Sequence, residues 1–451
     1  MSKFNAEELS GFARYYGFHY DAIDPHALVK EIQVEMQRGL ENKTSSLAMI
    51  PSYITPITKI PAGKTVLALD AGGTNLRSSL VYFNEKGEAV AKGTNKSPMP
   101  GTNGHVSAKE FFNAIADVTI PLLKETPIEG IGFTFSYPME ITSDADGILL
   151  SFSKEIDAPE VIGKAIGKGL REALAAKGCS YDGPIVLLND TVATLLSGVV
   201  SIPADGEPVH TTSKFSAEAG PVIGFILGTG FNTAYPETVI PKINFNSQTS
   251  AQIVVCETGN FKVRNRGQLD VEYDNTTKNP GCYHLEKTVS GAYLGPLTLH
   301  IIKQAIKDKV IQFKNSQEIL SMTYLETKVL NEFCRAPLCA QGPLGSLFAP
   351  DETDAIAAIQ YLSSIITERG ALFSAAILAA TIEQMNPCYE PYSPVRIAVE
   401  GTTFLIYKGM RRSLESYLHQ MLFIDKPRPY IVSPVEQASL FGAAVAALSK
   451  K

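Results

Sequence analysis

Leu69-Asp-Ala-Gly-Gly-Thr-Asn-Leu-Arg77 lies between two apolar runs, at residues 65–69 and 78–83, that each predict a buried strand. The turn joins strand to strand and carries no Gly-Lys-Ser/Thr, so it is not a Walker A loop. Its adjacent glycines allow backbone N–H groups to approach a phosphate closely. Asp70, at the strand end, can hold Mg²⁺ through water. The stretch predicts a phosphate-binding turn; an ordinary Gly-Gly hairpin between buried strands is the alternative.

Composition and charge exclude several classes of protein. At 451 residues the chain exceeds the size of a single core, so we expect two domains. The net charge of −6 argues against a general binder of nucleic acid or anionic membrane. The six cysteines form no Cys-x₂-Cys pair, the N-terminus has no signal-peptide core, and the longest apolar stretch, 371–382, is too short to span a bilayer. We therefore expect a cytoplasmic enzyme with no nucleic-acid or membrane partner, whose oligomeric state the sequence leaves open.

The predicted elements alternate buried strands with helices, which favours α/β layers. A strand, a Gly-rich turn and a strand recur near 65–83 and 221–235, which indicates two related halves around one cleft. Helices are predicted within 1–45 (with Asn5 as an N-cap), at 107–125, 158–178, from 191, within 291–386 and at 436–450; further strands at 128–135, 184–190, 221–228 and 395–400; loops at 97–104 and 201–220.

Polar clusters lie at or just after the ends of the buried strands, where ligands of α/β proteins collect. They occupy residues 133–138, 147–154, 188–191, 227–232, 255–261, 279–287, 399–403 and 439–444. In this order the series resembles that of the hexokinases, over nearly the whole chain. The resemblance implies an α/β, two-domain actin-like ATPase (ribonuclease H-like) fold with a central inter-domain cleft. It also implies a large domain of residues 1–60 and 191–435 and a small domain of residues 61–190 and 436–451.

Asp190 is the candidate general base. It follows an apolar strand and precedes a predicted helix, so its carboxylate emerges at a helix N-terminus. Phosphoryl transfer to a hydroxyl needs such a carboxylate to accept the proton. Local sequence alone equally allows Asp190 to be the helix N-cap. The match of Asn189-Asp-Thr191 to hexokinases favours the catalytic role, with Lys154 supporting developing negative charge.

A hexose needs groups that pair its hydroxyls, because an unpaired buried polar group costs about 1–3 kcal/mol. For Glu257 and Glu286 the alternative is a solvated surface carboxylate, and for Lys154 a solvated lysine. The resemblance implies that the sugar is bound by Ser136, Ser153, Lys154, Asn189, Asp190, Asn232, Glu257 and Glu286.

The resemblance also implies a nucleotide site built from three turns, with Mg²⁺ accompanying ATP near Asp70. The Thr229 hydroxyl can donate to a phosphate. The implied nucleotide-binding residues are Asp70, Gly72, Gly73, Thr74, Asn75, Arg77, Gly228, Thr229, Gly230, Gly401, Thr402 and Thr403.

Some segments depart from the hexokinase pattern. The family's Trp-Thr-Lys-Gly-Phe is here Phe-Ser-Lys-Glu-Ile at 152–156, and Asn-Thr-Glu-Trp-Gly is Val-Cys-Glu-Thr-Gly at 255–259. The Asp-Gly-Thr turn has become Glu400-Gly-Thr, and the terminal Ser-Gly-x-Gly-Ala-Ala is Ser-Leu-Phe-Gly-Ala-Ala at 439–444. These changes bear on the preferred sugar and nucleotide, not on the class of reaction.

The function implied by the resemblance is ATP-dependent phosphorylation of a hexose, glucose and/or mannose, at the 6-hydroxyl. Domain closure would exclude water, a competing acceptor. Three alternatives stay open at this point: a kinase for another small substrate, a non-catalytic sugar sensor, and a conformational ATPase of the actin or chaperone type.

Overall fold

The computed structural model describes residues 4–57, 60–152, 156–200, 220–264, 266–338, 342–385, 394–422 and 428–449, and the backbone of 203–204 and 207–208. The helices of these residues are α1 (Ala6–Tyr15), α2 (Pro25–Leu40), α3 (Ala108–Glu125), α4 (Ile166–Ala176), α5 (Asp190–Ser197), α6 (Gln268–Asp274), α7 (Glu286–Val289), α8 (Leu294–Lys307), α9 (Ser316–Ser321), α10 (Thr327–Arg335), α11 (Thr353–Gln384), α12 (Thr402–Ile406), α13 (Met410–Leu422) and α14 (Ala438–Ala447).

The strands are β1 (Ile50–Pro51), β2 (Lys64–Gly72), β3 (Asn75–Phe83), β4 (Ala89–Pro98), β5 (Ile131–Phe135), β6 (Met139–Ile141), β7 (Gly147–Leu149), β8 (Ile185–Leu188), β9 (Pro203–Ala204), β10 (Glu207–Pro208), β11 (Val222–Leu227), β12 (Phe231–Glu237), β13 (Val239–Ile240), β14 (Phe245–Asn246), β15 (Gln252–Val255), β16 (Val395–Glu400) and β17 (Tyr430–Pro434). Short 3₁₀ helices lie at Tyr20–Ala22, Pro159–Val161, Pro241–Ile243, Thr258–Asn260 and Gly345–Leu347.

Two larger sheets of the described residues share one topology. The first has the order β4-β3-β2-β5-β8, with β4, β3 and β2 antiparallel and β2, β5 and β8 parallel. The second has the order β1-β15-β12-β11-β16-β17, in which β15, β12 and β11 are antiparallel and β11, β16 and β17 parallel. The predicted strand–turn–strand repeat is therefore confirmed, as β2–β3 and β11–β12. Because parallel strands end at one edge, each half gathers its following loops there.

Helices α5 and α14 join the two halves. Helix α5 packs on β11, β12 and β16, whereas α14 packs on β2, β5, β8 and α5. Their close approach depends on two glycines, which have no side chain. A Cβ on Gly442 would lie 2.1 Å from the Ala193 carbonyl oxygen, and one on Gly132 would lie 1.8 Å from the Ala443 carbonyl oxygen. Glycine at these positions lets the helices pack directly on each other and on the sheet, so α5 is held firmly at the edge where its first residue, Asp190, lies.

Helix α11 forms the core of the second half. It is long and apolar enough to cross a membrane, but 94% of its most apolar window is buried within the protein, as in a core helix. It packs against α1, α2 and α13. The predicted cap at Asn5 is confirmed, since its side chain accepts from the N–H groups of Glu7 and Glu8. The prediction of a buried helix at 371–382 is likewise confirmed.

Two predictions of local structure need correction. Residues 158–178 are not one helix, because a 3₁₀ turn ends before Gly163, which has φ +82°. The loop predicted at 97–104 begins inside β4, which the sequence did not predict. That strand lies at the sheet edge, where exposed polar side chains hide the apolar pattern. The loop predicted at 201–220 lies largely outside the described residues. The predicted domain boundaries stay a prediction.

Candidate active site

The first phosphate-type turn connects β2 to β3. Gly72 pairs with Asn75, so that Gly73 and Thr74 form the turn, and Gly73 has φ +68°, a conformation that favours glycine. Asp70 is 4% exposed, two residues before the strand ends. Arg77 Nη1 lies 3.4 Å from Asp70 Oδ2. The turn thus presents backbone groups beside a buried carboxylate.

The second turn, of residues 228–230 between β11 and β12, packs against the turn at Gly401. A Cβ on Gly401, which has φ +125°, would lie 2.3 Å from the Leu227 carbonyl oxygen, so no side chain fits there. The carbonyl oxygen of Gly228 accepts hydrogen bonds from Thr403 Oγ1, at 2.9 Å, and Gly291 N, at 2.7 Å. The second phosphate turn and the predicted nucleotide turn therefore form one structure.

Three threonines among the predicted nucleotide-binding residues differ in exposure. Thr229 and Thr402 are exposed, whereas Thr403 is buried and its hydroxyl holds the Gly228 carbonyl. A direct nucleotide contact from Thr403 stays a prediction; its visible contact joins the two turns.

Asp190 is the first residue of α5, and Asn189 supplies the cap. Asn189 Oδ1 accepts from Thr191 N at 2.7 Å. The alternative in which Asp190 serves as the N-cap is therefore wrong. The Asp190 carboxylate accepts from Thr191 Oγ1 at 3.3 Å, and its main-chain oxygen accepts from Thr194 Oγ1 at 3.0 Å. Helix α5 thus carries a carboxylate at its N-terminal end, where the helix dipole favours negative charge.

Asn232, Glu257 and Glu286 converge from three separate segments. Asn232 Nδ2 donates to Glu257 Oε1 at 2.9 Å, and Glu286 Oε2 accepts from Phe231 N at 3.1 Å. Asn232 Oδ1 accepts from the N–H groups of Thr233 and Thr258, at 2.8 and 3.2 Å. The structure brings these predicted sugar residues together with fixed donor and acceptor directions.

Burial and like charge shape the electrostatics of this region. Burial, and then the charge of Asp190, raise the pKa of Glu257, whereas the hydrogen bond from Asn232 acts to lower it. Burial also raises the pKa of Glu286, with Glu257 and Asp190 adding to the effect. The alternative of solvated surface carboxylates is therefore wrong for Glu257 and Glu286. Because the charge of Asp190 acts on both, the three carboxylates lie near one another.

Glu400 is a carboxylate that the sequence-based list of site residues omitted. It ends β16, and Thr194 Oγ1 lies 3.3 Å from its Oε2. Burial, then Asp190 and Asp70, raise the pKa of Glu400 to about 7, while Thr194 and Arg77 act in the opposite direction. The charge of Asp70, near the end of β2, therefore acts on Glu400, at the end of β16. The sequence signal for Glu400 was its position in the Glu400-Gly-Thr turn, which stands where the hexokinase pattern has Asp-Gly-Thr.

One of the remaining predicted sugar residues, Ser136, lies in the loop after β5. Ser136 N donates to the Ala71 carbonyl oxygen at 3.1 Å, which ties this loop to the first phosphate turn. Ser153 and Lys154 lie outside the described residues. Phe152, directly before them, packs its ring against Tyr137 and Phe111, with centroids 5.2 and 5.9 Å away.

The residues fit a magnesium ion held mainly by its substrate. No group of three or more acidic, histidine or cysteine side chains in the described part of the chain could hold a metal ion by itself. Mg²⁺, however, keeps several waters and uses one or two carboxylates together with phosphates. The buried carboxylate of Asp70, beside the first phosphate-type turn, matches that mode of binding.

The repeated sheet, with glycine turns at both strand ends, defines the actin-like ATPase fold with its central cleft. Solved structures confirm this fold: hexokinase from Schistosoma mansoni, solved with glucose, has a TM-score of 0.76 and 23% identity, covering 99% of this chain and 100% of that one.

Sequence comparison then gives the family. Hexokinase family models match residues 15–200 and 222–449. Hexokinase-2 of Candida albicans is 28% identical over 96% of this chain and 90% of its own length. Putative glucokinase-2 of Saccharomyces cerevisiae is 28% identical over 85% of each chain. The chain belongs to the hexokinase family, and it is a sugar kinase.

Proposed function

We propose that this protein transfers the γ-phosphoryl group of Mg-ATP to the 6-hydroxyl of glucose, and of mannose, with Asp190 as the general base. The observation that carries the proposal is the position of Asp190. It begins α5, its helix is capped by Asn189, and its charge raises the pKa of Glu257, Glu286 and Glu400. That Asp190 acts both on the candidate sugar residues and on a residue next to the nucleotide turn supports its role as the base.

The sugar is bound by groups of fixed orientation. Asn232, Glu257 and Glu286 pair hydroxyls of the ring, with Asn189, Ser136, Ser153 and Lys154 completing the set. Holding the acceptor in place converts a bimolecular reaction into one of high effective concentration. The 6-hydroxyl then lies beside Asp190, which accepts its proton as the oxygen attacks phosphorus. The resulting negative charge is supported by Lys154.

The nucleotide is bound by the turns. Backbone N–H groups of residues 72–75 and 229–230 donate to phosphate oxygens, and the exposed Thr229 and Thr402 hydroxyls add donors. Asp70 would hold Mg²⁺ through water, and that ion would neutralise charge on the phosphates. Arg77, beside Asp70, keeps one positive charge near this carboxylate.

A panel of hexoses tests the proposal. ADP release from Mg-ATP is measured for wild type, Asp190→Ala and Asp24→Ala. Asp24 caps α2 far from the site by accepting from His26 N and Ala27 N. We expect turnover that requires glucose or mannose, is abolished in Asp190→Ala and is retained in Asp24→Ala.

The other outcomes point to the remaining alternatives. Hydrolysis of ATP without any sugar would indicate a conformational ATPase. Absence of turnover with every hexose, in protein that circular dichroism shows to be folded, would indicate a sensor or a kinase for a different acceptor.

A further inference from the structure

Tyr137 connects the first phosphate turn to the aromatic core beneath it. Its hydroxyl donates to the carbonyl oxygen of Gly73, within the turn. Its ring packs against Phe135 and Phe152, with centroids 4.9 and 5.2 Å away, and only 3% of the residue is exposed. The ring thus belongs to the core, while the hydroxyl contacts a main-chain atom of the site.

The Tyr137 hydroxyl contacts a peptide group whose carbonyl and N–H cannot rotate independently. The carbonyl of Gly73 and the N–H of Thr74 belong to one planar trans peptide, so they point in opposite directions. A hydrogen bond that holds the Gly73 carbonyl toward Tyr137 therefore directs the Thr74 N–H away from the core. The carbonyl of Thr74 accepts from Met99 N at 2.8 Å, which restrains the next peptide.

The donor is present at every working pH. Burial, and then the charge of Asp70, raise the pKa of Tyr137 to about 12. The phenol consequently stays protonated well above neutrality. The turn itself contains Gly73 at φ +68°, a residue with wide backbone freedom, so an external restraint has an effect there.

We propose that Tyr137 is a positioning residue for the nucleotide: its hydroxyl fixes the peptide between Gly73 and Thr74 so that the Thr74 N–H faces the phosphates of ATP. The inference rests on the proposed function, because it assigns this turn to phosphate. Tyr137 does not touch the reacting atoms. Its contribution is to lower the cost of ordering the turn when nucleotide binds.

Tyr137→Phe removes the hydroxyl and keeps the ring. Tyr181→Phe is the matched control. Tyr181 also lies in the first half, its hydroxyl also donates to a main-chain oxygen, that of Pro184, at 3.3 Å, and burial also raises its pKa to about 12. The two variants lose the same kind of hydrogen bond, and only one of these bonds is made to the turn.

Three measurements separate positioning from stability: the KM values for ATP and hexose, the equilibrium binding of Mg-ADP, and thermal unfolding. For Tyr137→Phe we expect the KM for ATP and the Kd for Mg-ADP to rise about 3- to 10-fold, the range of one lost hydrogen bond. The KM for hexose should stay within about twofold. Tyr181→Phe should leave all three constants at the wild-type values, while its melting temperature falls as in Tyr137→Phe.

Two results would overturn the inference. One is an active Tyr137→Phe enzyme whose nucleotide constants equal those of wild type. The other is an equal loss of nucleotide affinity in both tyrosine variants, which would show a general effect of stability. Wild-type protein without hexose-dependent turnover would instead refute the proposed function, and the binding of Mg-ADP would still decide the role of Tyr137.

Discussion

Asn232 Nδ2 donates a 2.9 Å hydrogen bond to Glu257 Oε1, and this bond joins β12 to the loop that follows β15. Glu257 has φ +59°, a left-handed conformation that costs a residue other than glycine about 1–2 kcal/mol. Such strain persists where the surroundings over-determine the backbone, and it is concentrated at functional sites. The pair therefore gives an amide and a carboxylate in fixed directions, as recognition of a sugar requires.

Glu257→Gln should raise the KM for hexose about 5- to 10-fold. The substitution replaces a charge-assisted hydrogen bond, worth about 1.5–3 kcal/mol, with a neutral one. Glu129→Gln is the control, because Glu129 is a surface carboxylate, 49% exposed, that pairs with Lys64. Steady-state kinetics with varied glucose provides the measurement. Equal KM values for hexose in the two variants would show that Glu257 does not bind the sugar.

Asp190→Asn should lower kcat by about 10²- to 10⁴-fold, the contribution of a general base. The same substitution should leave the fold intact or stabilise it by about 1 kcal/mol, because it relieves repulsion with Glu257, Glu286 and Glu400. Urea unfolding of the ligand-free protein, alongside kcat, provides the measurement. A loss of activity accompanied by a large loss of stability would indicate a structural role instead.

Glu400→Gln should change how stability depends on pH. The pKa of Glu400 is about 7 in the folded protein against 4.5 ordinarily, so its protonated form stabilises the fold fully below pH 4.5. That contribution is lost as pH rises through 7. The free energy of unfolding of Glu400→Gln, minus that of wild type, should therefore increase by about 2–3 kcal/mol between pH 4 and pH 8.

Denaturant unfolding of the ligand-free protein at several pH values tests this difference. Glu172→Gln is the control, because Glu172 is 69% exposed and lies 3.9 Å from Lys168. Its difference from wild type should change little over the same range. A constant difference for Glu400→Gln as well would contradict the raised pKa.

Asp274→Asn should destabilise the protein by about 3–5 kcal/mol, because it leaves a buried cation without its counter-ion. Lys287 and Asp274 are both 3% exposed and form an ion pair, to which Arg266 adds a contact of 2.8 Å. Burial alone would raise the pKa of Asp274, but hydrogen bonds from Lys287 and Arg266 lower it to about 2. Since Lys287 follows Glu286, the KM for hexose should also rise.

Chemical denaturation measures this loss. Asp117→Asn, which breaks a surface ion pair with Lys177 at an aspartate that is 62% exposed, should cost about 0–1 kcal/mol. Similar values for the two variants would show that the buried network contributes no more than a surface pair.

Gly401→Ala should raise the KM for ATP more than about tenfold and lower the melting temperature, because φ +125° lies in a region that only glycine adopts at low cost. Its Cβ would also collide with the Leu227 carbonyl at 2.3 Å and displace the second phosphate turn. Gly163→Ala is the matched control. Gly163 has φ +82°, but a Cβ there would meet nothing within 4 Å. A wild-type KM for ATP in Gly401→Ala would show that the turn at Gly401 does not take part in nucleotide binding.

The local pattern of apolar and turn residues was enough to predict much of the fold. The strands β2, β3, β5, β8, β11 and β16 follow from apolar runs bounded by turn residues, and the two glycine turns reveal the repeat. The edge strand β4 escaped prediction because its side chains are mostly polar and exposed. The break near Gly163 escaped because apolar spacing continues across it.

The sequence by itself determined most of the order of elements and the phosphate-type turns, since each depends on neighbours a few positions away, and its resemblance to the hexokinases predicted the candidate site residues. Only the tertiary structure decided that Asn189 caps α5 in place of Asp190, that Tyr137 holds Gly73, and that the charges of Asp190 and Asp70 act on Glu400. These relationships join residues as far apart in the chain as Asp70 and Glu400, or depend on side-chain orientation. The burial and the neighbouring charges that raise the pKa of Glu400 arise only when distant segments of the chain pack together.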